Sequence, residues 1–376
     1  MFGAVLALLL SAVVPDGSEA SVTNAACQGS DIAVDRAFDG GAFAACTIDV
    51  NGTITLDIRP ETLPINPSPW YAVRLNQSGA RERRITLRYA DAHHRYAPWF
   101  RVAGGPWQRL ESYPVEPGRR EVPVYLPAFA GEAWLAAQPL VPIDGVASHW
   151  AALASQGTVS LDMTATSTDG RPVPLYRHGA TDARSIHVIA TRQHPPETTG
   201  AAAFDAFAER LLAGLRGRNC ADHALLFAPL LNPDGLARGH WRTNAGHIDQ
   251  NRDWGRFATP EISAVGQRLE ALAGQAQIVS VLDFHSTRQA AIYVSRSAGP
   301  RAQSFASAVE AATGMRAVRT RAADGDTLKS WSENRFGSES FTVELPDSAS
   351  PAEAAIAGRV IADLYLAHYL CPASGA

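Results

Sequence analysis

The chain has 376 residues, more than one typical domain, and its composition of 46% hydrophobic and 19% charged residues is that of a globular protein. Its net charge is −4, so it lacks the basic character of nucleic-acid-binding proteins, and we expect no nucleic-acid partner. Of the 33 basic residues, only Lys329 is a lysine. The length predicts two domains.

The first 14 residues form an apolar segment that small residues follow. This pattern predicts a signal peptide over residues 1–20 and a periplasmic or secreted protein. The segment is too short to cross a bilayer as a permanent helix, so we expect no stable membrane span. Because the segment contains no Lys or Arg, a cytoplasmic protein with a buried N-terminal segment is the alternative.

Four cysteines, an even number, favour an oxidising compartment and allow three sets of disulfides. We favour Cys27–Cys46, which is local to the N-terminal region, together with Cys220–Cys371, which ties the second region to the C-terminal tail. With both bonds formed, the protein contains no free thiol.

Residues 28–150 are predicted to form an all-β sandwich domain. Their short alternating or apolar runs are separated by Gly, Pro and Asn, and strands of this kind are typical of a sandwich. The predicted strands are 53–58, 70–75, 85–89 and 122–126. Ser, Thr, Gly and Pro accumulate over 150–175, where we expect the boundary. His93 and His94 are interpreted as surface loop residues, because no third histidine lies nearby to complete a metal site.

Residues 175–372 are predicted to form a second domain in which strands and helices alternate. The predicted strands are 185–190, 224–231, 278–284 and 340–345, and the predicted helices are 201–215, 260–273, 302–312 and 351–369. Ser350 and Pro351 supply a cap and a first residue for the last helix. The alternation predicts an α/β fold with a mixed, largely parallel central sheet flanked by helices.

A histidine and a glutamate follow the first strand of this domain, in the turn His194-Pro195-Pro196-Glu197. The prolines end the strand, and an imidazole and a carboxylate three positions apart can reach one ion. His285 follows the strand 278–284 and supplies a third ligand. Two histidines, one glutamate and a fourth position left to water are the ligand set of a hydrolytic zinc site. The structural alternative is that His194 caps a strand and His285 is a buried, hydrogen-bonded histidine.

Further motifs follow in chain order, and together they resemble a known family. They are 228–235, which ends an apolar strand in Asn-Pro-Asp-Gly, then Trp241-Arg242, then 249–254, and finally Glu344 among apolar neighbours. In this order the chain resembles the M14 zinc carboxypeptidases, and within them the cytosolic-carboxypeptidase-like branch of bacterial type. The resemblance covers about residues 184–370, with a weaker likeness ahead of them.

The resemblance implies a mechanism and a substrate class. It implies one zinc per chain on His194, Glu197 and His285. Glu344 is expected to act as the general base and Arg242 to stabilise the oxyanion. Asn251 and Arg252 are expected to bind a terminal carboxylate, so the partner is a peptide or peptide-like substrate with a free C-terminal carboxylate.

The chain departs from the family pattern in its zinc-site turn and in its substrate pocket. Pro196 stands where the family often has glycine, and no tyrosine occurs between Ser295 and Glu344, so no residue is assigned to the family's pocket tyrosine. Lys329 lies fifteen positions before Glu344, where related carboxypeptidases line the pocket for the C-terminal side chain. A cation there predicts preference for acidic C-terminal residues; a solvated loop lysine is the alternative.

Two other functions remain open at this point. A zinc amidase or deacylase acting on peptidoglycan peptides or N-acyl amino acids would use the same three ligands. A non-catalytic binding module would keep the sandwich beside a degenerate second domain. Glu344 argues against the binding module, because binding alone needs no general base.

Overall fold

The structure is a computed structural model that describes residues 26–63, 70–110, 119–218, 220–321 and 325–370. The predicted signal peptide at residues 1–20 lies outside the described residues. Within the described ranges the chain forms two eight-stranded sheets. In those ranges we find no helix that is long and apolar enough to cross a membrane.

The first sheet is built around two long antiparallel strands. Its strands are β1 (Ala26–Gln28), β2 (Ile32–Asp35), β3 (Ala45–Ile48), β4 (Ile54–Ile58), β5 (Ala72–Tyr89), β6 (Trp99–Val102), β7 (Gln108–Arg109) and β8 (Glu121–Ala136). The first half of β5 pairs with β2 and its second half with β4, and β8 runs antiparallel along both halves. Apolar side chains of both halves enter one core.

The predicted strands 70–75 and 85–89 are therefore wrong as separate elements, because both belong to β5. The pairing of β5 with β8 shifts register between Gln77 and Arg83. Such an irregularity interrupts the alternation of side chains, which conceals a continuous strand in the sequence.

The prediction that His94 lies on the surface is also wrong: it is 1% exposed, and its Nδ1 lies 2.8 Å from the Tyr89 hydroxyl. The two-layer sandwich stays a prediction.

The remaining chain forms the second sheet and the helices on its two faces. Its elements are α1 (Ile143–Ser155), β9 (Ser160–Thr166), β10 (Pro172–His178), β11 (Ser185–Thr191), α2 (Thr198–Leu215), β12 (His223–Ala228), α3 (Pro233–Arg238), a 3-10 turn (Gln250–Arg252), α4 (Pro260–Ala273), β13 (Gln277–Thr287), β14 (Ala291–Ser295), α5 (Pro300–Thr313), β15 (Arg316–Thr320), α6 (Leu328–Phe336), β16 (Glu339–Pro346) and α7 (Pro351–Tyr369).

The strand order of the second sheet is β15-β14-β16-β13-β11-β12-β10-β9. The four central strands β16, β13, β11 and β12 are mutually parallel, and antiparallel pairs occur on both sides of them. Helices α2, α5 and α7 bury apolar side chains against one face, and α4 and α6 do so against the other. The predicted mixed α/β fold is confirmed.

The second sheet begins earlier in the chain than the sequence predicts. Both β9 and β10 belong to it, so the expected domain start at residue 175 falls inside β10. The pairing of β10 with β12 brings this hairpin into the sheet. Much of β9 is exposed or half-buried, so it lacks the long apolar run that marks the central strands.

The disulfide predicted within the N-terminal region is confirmed between Cys27 and Cys46. Cys220 is also disulfide-bonded. Its predicted partner, Cys371, lies outside the described residues. The cap predicted at Ser350 is present and forms a capping box: the Ser350 hydroxyl accepts from the Glu353 N–H, and the Glu353 carboxylate accepts from the Ser350 N–H.

Candidate metal centre

Three predicted metal ligands meet at the carboxyl ends of neighbouring parallel strands. His194 lies in the turn between β11 and α2, and Glu197 is the N-cap residue of α2. His285 lies in β13, which pairs with β11 up to Thr191 opposite Phe284. In α/β sheets ligands bind beyond the carboxyl ends of the strands, so both the sheet order and the short turn bring these side chains to one point.

The ligand atoms face one another directly. Nδ1 of His194 lies 2.8 Å from one carboxylate oxygen of Glu197, and Nδ1 of His285 lies 2.7 Å from the other. The donor atoms of the three residues all lie within 4.8 Å of one another. His194 is 5% exposed and His285 is 1% exposed, so the donors are largely removed from solvent.

Each histidine is held at its remote nitrogen by a second carboxylate. Nε2 of His194 lies 3.2 Å from Asp249 Oδ1, and Nε2 of His285 lies 2.7 Å from Asp283 Oδ2. Each carboxylate accepts the Nε2 proton, so Nδ1 can present its lone pair to a metal once it gives up the proton that it shares with Glu197. Neither Asp249 nor Asp283 was predicted from the sequence to contact the histidines. The two-residue spacing of Asp283 and His285 on one strand indicates a shared face and could have identified it.

The pKa values in the cluster reflect its mutual charges. Burial disfavours the charge of Glu197, but the two imidazoles outweigh burial and hold its pKa below the usual range. Burial likewise opposes the charge of His285, yet Asp283 and Glu197 raise its pKa well above its usual value. The pKa of His194 is raised in the same way, with Glu197 and Asp249 overcoming burial.

The chemistry of this donor set fits a divalent cation. The carboxylates around the two imidazoles belong to Glu197, Asp249, Asp283 and Glu344. They outnumber the imidazoles, so the cluster favours an added positive charge. Two imidazole nitrogens and one carboxylate, each backed by further hydrogen bonds, match the three-ligand zinc sites that keep a fourth position open.

Glu344 stands beside the cluster with an unused carboxylate oxygen. Strand β16 pairs with β13 in a register that sets Glu344 opposite His285. Its Oε2 is buried and has no hydrogen-bond partner. Burial raises the pKa of Glu344 to about 7, with the charges of His285 and Glu197 acting in opposite directions. A carboxylate with one unpartnered oxygen and a pKa near neutrality is suited to accept and return a proton.

Arg242 is linked to the cluster through Asp249. Its Nε donates to Asp249 Oδ2 at 2.6 Å, while Asp249 Oδ1 faces His194. The Arg242 side chain is 14% exposed. The backbone N–H of Arg242 donates to Glu61 of the N-terminal region at 2.8 Å, so both its backbone and its guanidinium are fixed.

The 3-10 turn carries Asn251 and Arg252 beside His285. Asn251 is 7% exposed; its Nδ2 lies 3.2 Å from His285 Nε2, and its Oδ1 accepts from the Leu328 N–H. Arg252 is exposed, and its guanidinium donates to the Asn251 carbonyl at 2.6 Å. The structure therefore brings both residues to the site but commits the Asn251 amide to internal contacts.

Lys329 is not a solvated loop residue. It lies in the first turn of α6, is 4% exposed, and its Nζ donates to Glu333 Oε1 at 2.7 Å. Burial raises the pKa of Glu333, and Lys329 opposes this effect. The helix begins against the site, because the N–H of Leu328 donates to Asn251.

The Asn-Pro-Asp-Gly turn supports the loop that carries His194. The Asn232 side chain donates to the Gln193 carbonyl at 2.9 Å and accepts from the Gly235 N–H at the start of α3. A Cβ at Gly235 would lie 2.3 Å from the Thr243 carbonyl oxygen and 2.8 Å from Pro195, so only glycine allows this approach. The motif was recognised in the sequence, but its role in supporting the loop of His194 was not predicted.

The N-terminal sheet contacts two other parts of the site. Arg95 forms a two-nitrogen ion pair with Asp347, three positions after Glu344, at 2.7 and 2.9 Å. Tyr96 accepts a hydrogen bond from Trp241 Nε1 at 2.7 Å. Tyr96 is only 3% exposed, so its ring does not cover an open cleft as a pocket tyrosine would.

Known proteins match parts of the sequence. An uncharacterized protein of Zymomonas mobilis is 32% identical over 144 residues, or 36% of each chain. Cytosolic carboxypeptidase 2 of Danio rerio is 31% identical over 108 residues, or 27% of this chain and 15% of that protein. The matches therefore span about a third or less of these relatives.

Solved structures match most of the fold. A metallo-carboxypeptidase from Burkholderia cenocepacia superposes with a TM-score of 0.75 at 19% identity, covering 90% of this chain and 98% of that one. A metallo-carboxypeptidase from Pseudomonas aeruginosa, in complex with (2-guanidinoethylmercapto)succinic acid, gives a TM-score of 0.73 at 21% identity over 88% and 97% of the chains. At these identities the likeness concerns the fold.

The sequence profile of peptidase M14, described as zinc carboxypeptidase, matches residues 148–359. Because this match spans more than half of the 376 residues, the chain belongs to the zinc carboxypeptidase family.

Proposed function

We propose that the protein is a zinc-dependent carboxypeptidase that hydrolyses the C-terminal amide bond of peptides or peptide-like substrates. The observation that carries this proposal is the unpaired Oε2 of Glu344 beside the cluster of His194, Glu197 and His285. Three ligands alone would support a structural or a catalytic metal. A half-buried carboxylate whose Oε2 is buried without a hydrogen-bond partner is costly to maintain beside them, and catalysis gives it a role.

One zinc per chain would be held by Nδ1 of His194, Nδ1 of His285 and the Glu197 carboxylate. When bound, zinc supplies Lewis acidity toward a carbonyl oxygen and makes water more acidic. Glu344 would accept the proton of the attacking water and return it to the departing amine. Asp249 and Asp283 would hold the histidines in the required tautomer.

Arg242 would stabilise the negative charge that develops on the carbonyl oxygen. Its Nε is bound to Asp249, which fixes the plane of the guanidinium, and the other nitrogens can donate toward the site. A guanidinium held in position before the reaction requires little reorganisation as the charge develops.

Arg252 would bind the terminal carboxylate of the substrate. It is exposed, and a guanidinium can donate two parallel hydrogen bonds to one carboxylate. Asn251 would hold the turn in place through its Oδ1, which accepts from the Leu328 N–H, and would offer its amide N–H groups to the substrate. This requirement for a free carboxylate separates a carboxypeptidase from an amidase whose substrate has no carboxylate next to the scissile bond.

Lys329 would favour acidic C-terminal residues. An ammonium has three donors, and Glu333 accepts one of them. A substrate carboxylate would become a second acceptor in a site that is largely closed to water, where a charged hydrogen bond is strong. The preference depends on how far Glu333 already neutralises Lys329.

The test compares blocked dipeptides that end in a free carboxylate with the same dipeptides ending in an amide, alongside metal analysis. We expect about one zinc per chain, its loss in His194→Ala, Glu197→Ala and His285→Ala, and hydrolysis of the free acids only. Equal hydrolysis of the amides would favour the amidase alternative. Zinc at full occupancy after His285→Ala would refute the ligand assignment.

We further propose that the N-terminal region is a two-layer sandwich domain and that the protein is exported to the periplasm or secreted. The Cys27–Cys46 bond supports an oxidising compartment. N-terminal sequencing of the mature protein should find a start near Ser21, and thiol titration of the native protein should find no free cysteine. A retained Met1 with accessible thiols would indicate the cytoplasmic alternative.

A further inference from the structure

A buried arginine, Arg192, comes two positions before the metal loop, which is the turn His194-Pro195-Pro196-Glu197. Arg192 occurs two residues before His194, is 2% exposed, and is among the largest buried side chains of the described residues. Its backbone adopts a left-handed conformation with φ of 59°, which is unfavourable for a residue with a long side chain. The local fold therefore holds this side chain inside the protein against a conformational cost.

The guanidinium of Arg192 lacks direct charge compensation. Its Nε and one terminal nitrogen are buried without a hydrogen-bond partner, and the other terminal nitrogen donates to the Val141 carbonyl at 3.4 Å. Among the described residues no carboxylate forms an ion pair with it; Asp205 and Glu197 act on it only from a greater distance. Arginine stays charged in proteins, and a buried charge without a partner is strongly unfavourable.

Arg192 is one of the residues that line a small cavity. It has a volume of about 20 Å³, and its lining includes Arg192, Pro195, Pro196 and Thr198. A cavity of this size holds roughly one water-sized particle. It is too small for phosphate, sulfate or a peptide carboxylate, all of which contain several heavy atoms.

The same cavity lies at the N-terminus of α2. This helix has 18 residues, begins at Thr198, and has no side-chain capping hydrogen bond at its N-cap residue. The N–H groups of Thr198 and Gly200 are already bonded to Pro196 O and Ser286 Oγ, so it is the helix dipole that makes this end favourable for an anion. Asp39 also lines the cavity, but its side chain is exposed, so water screens its charge.

We propose that Arg192 and the N-terminus of α2 bind one monoatomic anion, chloride in ordinary media, behind the metal loop. The anion supplies the charge that Arg192 lacks and fills the space that only a water-sized particle can occupy. Pro195 and Pro196 line this cavity and stand between the ligands His194 and Glu197 in the sequence, so the bound anion stabilises the fold of the metal loop. The site is independent of the proposed catalytic activity.

Bromide crystallography tests the location. Crystals of the full-length protein are soaked in sodium bromide and measured at the bromine absorption edge. We expect an anomalous peak in the cavity within hydrogen-bonding distance of the Arg192 guanidinium. A water molecule there, with no anomalous signal at high bromide concentration, overturns the proposal.

Thermal unfolding tests the energetic effect. Sodium chloride is titrated at constant ionic strength against sodium gluconate, whose anion is too large for the cavity. A ligand that binds the native state raises Tm in a saturable manner, so the wild-type Tm should rise with chloride and level off. Arg192→Gln should lose this saturable rise.

Arg184→Gln is the matched control, because Arg184 is exposed and paired with Asp222 outside the cavity. It should keep the wild-type response to chloride. The same Tm in chloride and gluconate for the wild type, or an unchanged chloride response in Arg192→Gln, overturns the proposal. If Arg192→Gln does not fold, the bromide experiment on the wild type decides alone.

Discussion

Glu344→Gln separates catalysis from metal binding, because it removes a base while preserving the size of the side chain. Glu344 lies beside the ligands but does not supply one of the clustered donor atoms, so the variant should bind zinc as the wild type does. Loss of a general base lowers kcat by about 10²- to 10⁴-fold. At 1.36 kcal/mol for each tenfold change, this is about 3–5 kcal/mol of lost transition-state stabilisation.

The same substitution, which lowers activity, should raise the stability of the metal-free protein. Burial raises the pKa of Glu344 to about 7, against an ordinary value near 4.5, so the folded state disfavours the ionised form. The difference corresponds to about 3 kcal/mol. This cost is absent below the unfolded-state pKa and is complete above the folded-state pKa, so Glu344→Gln should gain stability between about pH 5 and pH 8.

The assay combines steady-state kinetics on a blocked dipeptide, zinc analysis, and denaturant unfolding of the metal-free protein at pH 5 and pH 8. Glu339→Gln is the control on the same strand, because its carboxylate contacts Arg301 and Tyr369 far from the ligands. The control should keep its kcat. Turnover in Glu344→Gln within tenfold of the wild type, with zinc retained, would show that the base lies elsewhere.

Other predictions address the surroundings of the ligands and the substrate pocket. Asp283→Asn should weaken zinc binding about 10- to 100-fold, measured by competition with a chelator, because it replaces the charged acceptor at His285 Nε2 by a neutral amide. Zinc binding near pH 6 should release protons, measured calorimetrically in buffers of different ionisation enthalpy, since neighbouring carboxylates outweigh burial and raise the pKa of both His194 and His285. Glu333→Gln should raise the kcat/KM ratio of C-terminal Glu to C-terminal Leu about tenfold, because Lys329 then lacks its partner.

Each of these predictions has a contradicting outcome. Asp363→Asn, at an exposed ion pair with Arg210, should leave zinc affinity unchanged; equal loss in both variants would indicate a general effect on the fold. Binding heats that do not depend on the buffer would mean that the imidazoles are already neutral. An unchanged substrate ranking in Glu333→Gln would remove Lys329 from the specificity pocket.

The grouping of His194, Glu197 and His285 could be predicted because each lies in a short segment with strong local signals. Prolines end the turn between His194 and Glu197, and an apolar run leads directly to His285. The helix α6 was missed because its sequence, from Leu328 to Phe336, has few apolar residues to form a stripe. A spacing of four residues brings two side chains together only on a helix. Because the helix was not predicted, the ion pair of Lys329 and Glu333 could not be predicted either.

Contacts between segments that are far apart in the chain could not be predicted from the sequence. Glu61 accepts hydrogen bonds from the backbone at Arg242, 181 positions later in the chain, and no local pattern marks such a pair. The burial of Arg192 is equally concealed, since an arginine after a strand is usually solvated. Asp249 was within a recognised motif, but only its distance to His194 reveals its role.

These long-range contacts explain why the N-terminal sheet belongs to the site. Glu61 fixes the segment that carries Arg242, and Arg95 binds Asp347 just after the strand of Glu344. Both contacts act on residues at the open end of the catalytic sheet, where backbone groups leave the regular hydrogen bonding of strands and need other partners. The N-terminal region therefore does more than precede the second sheet in sequence: it holds two segments of the chain next to the proposed metal site.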